Sequence, residues 1–333
     1  MGEATIEAVA GRLATLLTSG GGVVGGTGHA GLVPEQVVAL RPLPAALAAA
    51  DVWAVDGGQA TVADGRCLAV VAVRAARARW QDGTCTSEGE EPLRAYLLGG
   101  GEARTALADL AEAGLSLGPD TPVDANLLRD AGEWALLART VEEAEPGGLL
   151  LVDGDLQPDW RIPGAWAGEI LGRATARGLV VAGVTKHSGL SRGGAPLVGQ
   201  LELEAESDPR LGPRARWWAA VAHTADGVAP ELRVSVARLD PSARFAFRVD
   251  LPARLPGGVG VKEALGMVAA VSDDAAFPGY PYPLSVADRL AACPPWVRDD
   301  ARLALDEHLE RVGVGPEQRD RCFSDRHRLM ERA

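Results

Sequence analysis

Two apolar runs, far apart in the chain, each end on an Asp-Gly step: Val52-Trp53-Ala54-Val55-Asp56-Gly57-Gly58 and Leu149-Leu150-Leu151-Val152-Asp153-Gly154-Asp155-Leu156. Runs that are apolar nearly to their last residue read as central strands, buried on both faces. A carboxylate at the exit of such a strand is held rigidly, and the following glycine lets the chain turn away or a ligand come close. Taken singly, Asp56 or Asp153 is an ordinary turn residue, because Asp-Gly is a common turn pair. Taken together, two central strands ending alike bring both carboxylates to one sheet edge. That makes a hard-oxygen site suited to a divalent cation.

The rest of the chain alternates around these strands. Residues 4–18 carry apolar positions at three- and four-residue steps, as a helix does, and a Gly-rich stretch follows from Gly20 to Gly31. Cys67 to Ala75, extendable to Trp80, reads as a Val-rich strand joined to the first by a hairpin at Asp64-Gly65. Helical character is found around 102–114, and 124–144 is the clearest long helix, stopped by Pro146-Gly147-Gly148. The pattern then predicts a helix over 164–177 and strands over 179–184, 215–224, 231–239 and 244–251. Helices follow over 261–272 and 284–292, and then a charged helical tail broken at Gly313 to Pro316. Strands come first in a hairpin and then alternate with helices, which is the pattern of a mixed-sheet α/β fold rather than a doubly wound parallel one. No internal repeat stands out. The organisation expected is an N-terminal helical and Gly-rich segment over 1–45, a main domain over 46–296 and a C-terminal helical tail over 297–333.

Several classes fall away on composition. No apolar run reaches the length that crosses a bilayer, and the N-terminus lacks a basic-then-apolar leader pattern, so a cytoplasmic protein is expected. Cys67, Cys85, Cys293 and Cys322 are scattered without a CxxC pair, which indicates neither zinc nor a disulfide framework. The net charge of −12 argues against a protein that coats nucleic acid, although metal ions can offset an acidic centre and local arginine patches can track phosphates. Among 33 basic residues only Lys186 and Lys262 are lysines, so either can mark a place where a compact ammonium is wanted.

Gly26-Thr27-Gly28-His29-Ala30-Gly31 matches GxGxxG, with Asp51 beyond it, but only Val23-Val24 precede it and Pro34 interrupts the segment after it. A surface loop fits better than a dinucleotide fingerprint, and the absence of a following Lys excludes a P-loop. Asp153-Gly154-Asp155 lacks the hydroxyl residue of aspartyl-phosphate phosphatases, since Gln157 stands there. Glu133 lies in the long helix beside its apolar stripe of Leu127, Leu128, Trp134 and Leu137, where a carboxylate can point over the sheet edge instead of into solvent. Lys186 follows a strand; facing the aspartates, its charge would stabilise a phosphate in flight. His187 reads as a surface residue. In Gly279-Tyr280-Pro281-Tyr282-Pro283-Leu284-Ser285-Val286-Ala287-Asp288, Ser285 can cap a helix presenting Asp288. Tyr280 and Tyr282 are either packing residues or platforms on which bases stack.

These segments, in this order between about residue 50 and residue 290, resemble the NurA family of DNA-repair nucleases. The resemblance rests on Ala54 to Gly58, Arg129 to Glu133, Leu150 to Leu156, Gly183 to Lys186 and the Tyr-Pro stretch ending at Asp288. It implies a ribonuclease H-like fold, with a mixed β-sheet flanked by helices, and makes 46–296 the nuclease domain. It also implies Mn²⁺ dependence (with Mg²⁺ as the alternative), a homodimer, and partnership with a hexameric HerA-type ATPase that drives DNA toward the nuclease. Carried over residue by residue, Asp56, Glu133 and Asp153 are metal-binding carboxylates, Asp288 stands where some members carry His, and Lys186 matches the strand-end lysine. Gly58 departs from the usual small hydroxyl residue after the first Asp-Gly, and Asp155 replaces a more common Ser. The implied chemistry is two-metal phosphodiester hydrolysis, exonucleolytic and endonucleolytic on single strands. Two other readings stay open: a NurA-like partner of the ATPase that has lost cleavage, and an actin-like phosphotransferase. The second lacks a convincing Gly-rich phosphate hairpin after its first strand.

Overall fold

The computed structural model describes residues 5–18, 24–26, 31–44, 48–212, 214–324 and 330. The Gly26 to Gly31 motif lies largely outside them. The N-terminal part holds α1 (Ile6–Thr18) and three short strands, β1 (Val24–Gly26), β2 (Leu32–Pro34) and β3 (Arg41–Pro42). A long antiparallel ribbon follows: β4 (Asp51–Asp64), β5 (Leu68–Gln81), β6 (Thr84–Glu90) and β7 (Arg94–Gly99). Then come α2 (Ala103–Glu112), α3 (Ala125–Glu143), β8 (Leu149–Asp153), α4 (Gly164–Ala176) and β9 (Val180–Thr185). A small hairpin, β10 (Leu190–Arg192) and β11 (Ala195–Pro196), leads to α5 (Leu197–Ser207). The chain continues through β12 (Trp217–Thr224), β13 (Leu232–Arg238), β14 (Phe247–Pro252), α6 (Val261–Ala269), α7 (Tyr282–Ala291), α8 (Pro295–Arg311) and α9 (Pro316–Phe323).

Eleven strands form one mixed sheet in the order β2-β12-β13-β14-β9-β8-β4-β5-β6, with β3 also on β12 and β7 also on β5. Its centre is parallel, β4 with β8 and β8 with β9, and the pairs on both sides are antiparallel. Alternation along the central strands sorts their side chains between two cores. Val52, Ala54, Leu149 and Leu151 pack with Ala264, Leu265, Leu284 and Ala287 of α6 and α7. Trp53, Val55, Leu150 and Val152 pack on the other face with Trp134, Leu137, Ile170 and Leu171 of α3 and α4. Helices therefore cover both faces of the centre, as continuous apolar runs require. The same alternation carries Asp56 and Asp153 onto the α6–α7 face.

One expectation needs correcting. Val52 to Asp56 does not end at its Asp-Gly step, because β4 runs on against β5 through Gly57 and Gly58 to Asp64. The glycines serve close approach instead. A Cβ on Gly57 would lie 3.0 Å from Arg129 Cγ and 3.1 Å from Glu133 Oε2, and one on Gly58 would lie 1.9 Å from the Ala291 carbonyl oxygen. The pairing that does stop is β4 with β8, after Val55 and Val152. At Asp153 the turn is real, since Gly154 takes φ +126°. Among the described residues no helix is long and apolar enough to cross a membrane.

Candidate metal centre

Three elements converge just past the point where β4 and β8 separate. Asp56 comes from within β4, Asp153 is the last residue of β8, and Asp288 stands in α7. Carboxylate oxygens of all three lie within 4.8 Å of one another. Asp56 and Asp153 are largely buried, whereas Asp288 is exposed. Helix α7 starts earlier than its sequence suggests. Pro281 is its N-cap and Pro283 lies in its first turn, so Ser285 sits inside the helix and does not cap it.

Lys186 follows β9 on the same face. Its Nζ donates to Asp153 Oδ2 at 2.6 Å and to Asp288 Oδ1 at 2.8 Å, and stands 5.2 Å from the centre of the Tyr280 ring. An ammonium thus bridges two members of the carboxylate cluster. Glu133 approaches from the opposite face, where the missing side chain of Gly57 lets α3 close on the sheet, and it is buried.

Burial and mutual repulsion dominate the electrostatics. Burial first, and then the Asp153 charge, push the Asp56 carboxyl up to about 7, although the Gly57 amide donates to it at 2.7 Å. Glu133 is raised well above the usual range by burial and then by Asp56. Asp153 is raised by burial against the opposing bond from Lys186. Burial works against the charge on Lys186, but its bonds to Asp153 and Asp288 outweigh this and raise the ammonium. Acidic oxygens clustered with incomplete compensation suit a divalent cation, which would lower all three carboxyls together.

The two tyrosines are placed differently from a pair of open stacking platforms. The Tyr280 ring is buried against Phe247 and Phe277, below the carboxylates. Its hydroxyl faces Asp153 without completing a hydrogen bond of good geometry, and burial together with that charge keeps the phenol protonated. Tyr282 is half-buried and meets Trp80 edge-on, with ring centres 5.6 Å apart.

The centre opens into a cleft of about 690 Å³ between α3, the loop after β8 and the segment 228–230. Acidic residues line it heavily: Asp130, Glu133, Asp153, Asp155 and Asp159, with Arg129 and Lys186 as counter-charges. Burial pushes the Asp130 carboxyl up to about 6. Beneath the loop lies a group that the sequence motifs do not mark. Arg248, fully buried in β14, grips Asp250 with Nε and Nη2 at 2.8 and 2.7 Å and reaches Asp155 at 3.3 Å. The Asp250 carboxylate also accepts the Leu156 amide at 3.3 Å. Asp155 therefore helps anchor the loop that follows Asp153. Two charged residues on one face of the apolar strand Phe247–Pro252 are the available signal for this pair.

No protein-family model matches the chain, and no curated protein matches its sequence. Its fold does have solved counterparts. The structure is similar to that of the NurA nuclease from Sulfolobus solfataricus, with a TM-score of 0.57 and 16% identity over 92% of this chain and 93% of that one. A second NurA structure gives a TM-score of 0.54 and 8% identity, over 94% of this chain and 98% of the other. The chain has a NurA-like fold.

Proposed function

We propose that this chain is a cytoplasmic, metal-dependent deoxyribonuclease that hydrolyses phosphodiester bonds in DNA end processing, both from ends and within single strands. The observation that carries this reading is the meeting of Asp56, Asp153 and Asp288 from three separate elements, with Lys186 between two of them. The NurA-like fold supports it, since the Sulfolobus counterpart is a nuclease.

In this reading Asp56, Asp153, Asp288 and Glu133 would hold Mn²⁺, with Mg²⁺ as the alternative. When bound, two such ions supply Lewis acidity, which acidifies a water and offsets charge on the phosphate and the departing oxygen. The protein's own part is positioning. Asp56 and Asp153 are fixed by neighbouring parallel strands, so their spacing does not depend on a flexible loop. Lys186, whose ammonium stands between Asp153 and Asp288, would be placed to donate to a non-bridging phosphate oxygen. Glu133, buried on the far face next to Gly57, would be the fourth carboxylate beside Asp56.

The same reading gives a homodimer working with a hexameric HerA-type ATPase. Its support is α1, none of whose residues is buried and on which Ile6, Val9, Leu13 and Leu17 face solvent. The acidic net charge favours a second reading, a NurA-like regulatory partner of the ATPase without cleavage. End-labelled single- and double-stranded DNA digested with Mn²⁺, Mg²⁺ or EDTA separates the two. Cleavage that needs metal and is lost in Asp56→Ala supports the nuclease; no cleavage in any condition, even with the ATPase added, selects the second reading.

A further inference from the structure

Trp160 is 81% exposed on the rim of the cleft that holds Asp153 and Lys186. A large indole left in water gains nothing for the fold, since burying such a ring is strongly favourable. The backbone around it, by contrast, is pinned. The Asp159 amide donates to Asp130 Oδ2 at 2.6 Å, and the Asp159 carboxylate accepts the Arg161 amide at 3.0 Å and its Nε at 2.7 Å. Arg161 reaches on to Asp124 at 2.8 Å and to the Pro122 carbonyl at 3.0 Å, so its guanidinium is locked onto the start of α3. The Ile162 amide closes the turn on the Asp159 carbonyl at 2.8 Å, and its side chain is buried. A rigid loop thus presents one solvent-exposed aromatic ring at the mouth of the cleft. The Arg161 guanidinium stands 5.5 Å from that ring's centre.

The charge of the cleft says what such a ring is for. Five carboxylates line it against few cations, so phosphate attraction alone makes a poor grip on a polyanion. Stacking of a base on an aromatic face supplies affinity that does not depend on phosphate charge. A duplex keeps its base faces covered by stacking, so the ring suits an unpaired base. Tyr280, buried below the centre, and Tyr282, set edge-on against Trp80, leave that role open.

We propose that Trp160 is the platform on which an unpaired base of single-stranded DNA stacks, holding the strand across the cleft beside the carboxylate cluster. This rests on the nuclease reading and adds a strand preference to it. The test measures binding of a fluorescent single-stranded oligonucleotide and of a blunt duplex by anisotropy, with Ca²⁺ in place of Mn²⁺, and cleavage kinetics with Mn²⁺. It compares wild type, Trp160→Ala, Trp160→Phe and, as a control on another exposed indole, Trp296→Ala. Trp160→Ala is expected to weaken single-strand binding roughly tenfold to a hundredfold and to raise KM more than it lowers kcat. Trp160→Phe recovers most of the loss, Trp296→Ala and duplex binding stay near wild type, and the factor persists as salt is raised. A single abasic position in the oligonucleotide should cost the wild type affinity and cost Trp160→Ala nothing. Unchanged single-strand affinity and KM in Trp160→Ala, with wild type still cleaving, overturns the platform and leaves the nuclease standing. A wild type that neither binds nor cleaves DNA overturns both.

Discussion

A Cβ on Gly58 would lie 1.9 Å from the carbonyl oxygen of Ala291, so the end of α7 rests directly on the backbone of β4. That contact sets how near Asp288 comes to Asp56. Gly58→Ala should therefore push α7 away, because a backbone carbonyl cannot yield as a flexible side chain can. Overpacking of this kind costs on the order of 1–3 kcal/mol. Urea unfolding should show the loss, and Mn²⁺ should raise the melting temperature less in Gly58→Ala than in wild type. An undiminished Mn²⁺ shift would mean that Asp288 does not depend on this contact.

Lys186 binds the same two carboxylates that a cation would occupy. Lys186→Gln should move two measurements in opposite directions. Removing a positive charge strengthens divalent-ion binding, so the Mn²⁺ concentration giving half of the thermal shift should fall. Removing an electrostatic stabiliser of the phosphate slows the chemical step, by about 10²-fold if it behaves like other such donors. A merely structural lysine would weaken both together.

Much of this architecture was legible because its strands and helices are strongly patterned. Val52 to Val55 and Leu149 to Val152 read as central strands and are buried on both faces, and Ala125–Glu143 reads as a long helix with Asp124 capping it at Leu127. What escaped has physical causes. Strand β6 is exposed throughout and polar, so it carries no apolar alternation, and its strand state comes from pairing with β5. Gly57-Gly58 resembles a break but continues a strand, because tertiary approach of α3 and α7 requires glycine there. Asp56 and Asp153 were visible as a pair through their repeated Asp-Gly context. The burial of Tyr280 comes partly from Phe247, distant in sequence, and neither that burial nor the exposure of Trp160 has a local signal.

The raised carboxyls give a pH dependence of defined sign. Asp56 titrates near 3.8 when unfolded and at about 7 in the fold. Between those values the folded state binds more protons than the unfolded one, so stability falls as pH rises and the loss is complete above the folded value. Glu133 and Asp153 shift in the same direction. In EDTA the urea midpoint should therefore drop from about pH 5 to about pH 8, and drop less in Asp56→Asn. Mn²⁺ should reduce the slope or reverse it, since a cation binds the deprotonated carboxylates and releases protons into weak buffer. Equal slopes in wild type and Asp56→Asn would remove Asp56 as the source.

Arg248 and Asp250 test whether the loop after β8 depends on charge held below it. Both side chains are fully buried, and Arg248 also reaches Asp155 two residues beyond Asp153. Arg248→Met leaves Asp250 without its counter-charge in a site closed to water. Removing one partner of a buried pair typically costs about 3–5 kcal/mol, whereas replacing both partners with apolar residues is often neutral. Arg248→Met should therefore lower stability by that order, and Arg248→Met with Asp250→Leu should recover a large part of it. The double variant still removes the anchor for Asp155 and the acceptor for the Leu156 amide. Its Mn²⁺-induced thermal shift should stay below wild type even where its stability in EDTA is restored. A double variant with a full Mn²⁺ response would show that the β8 strand end alone holds Asp153 in place.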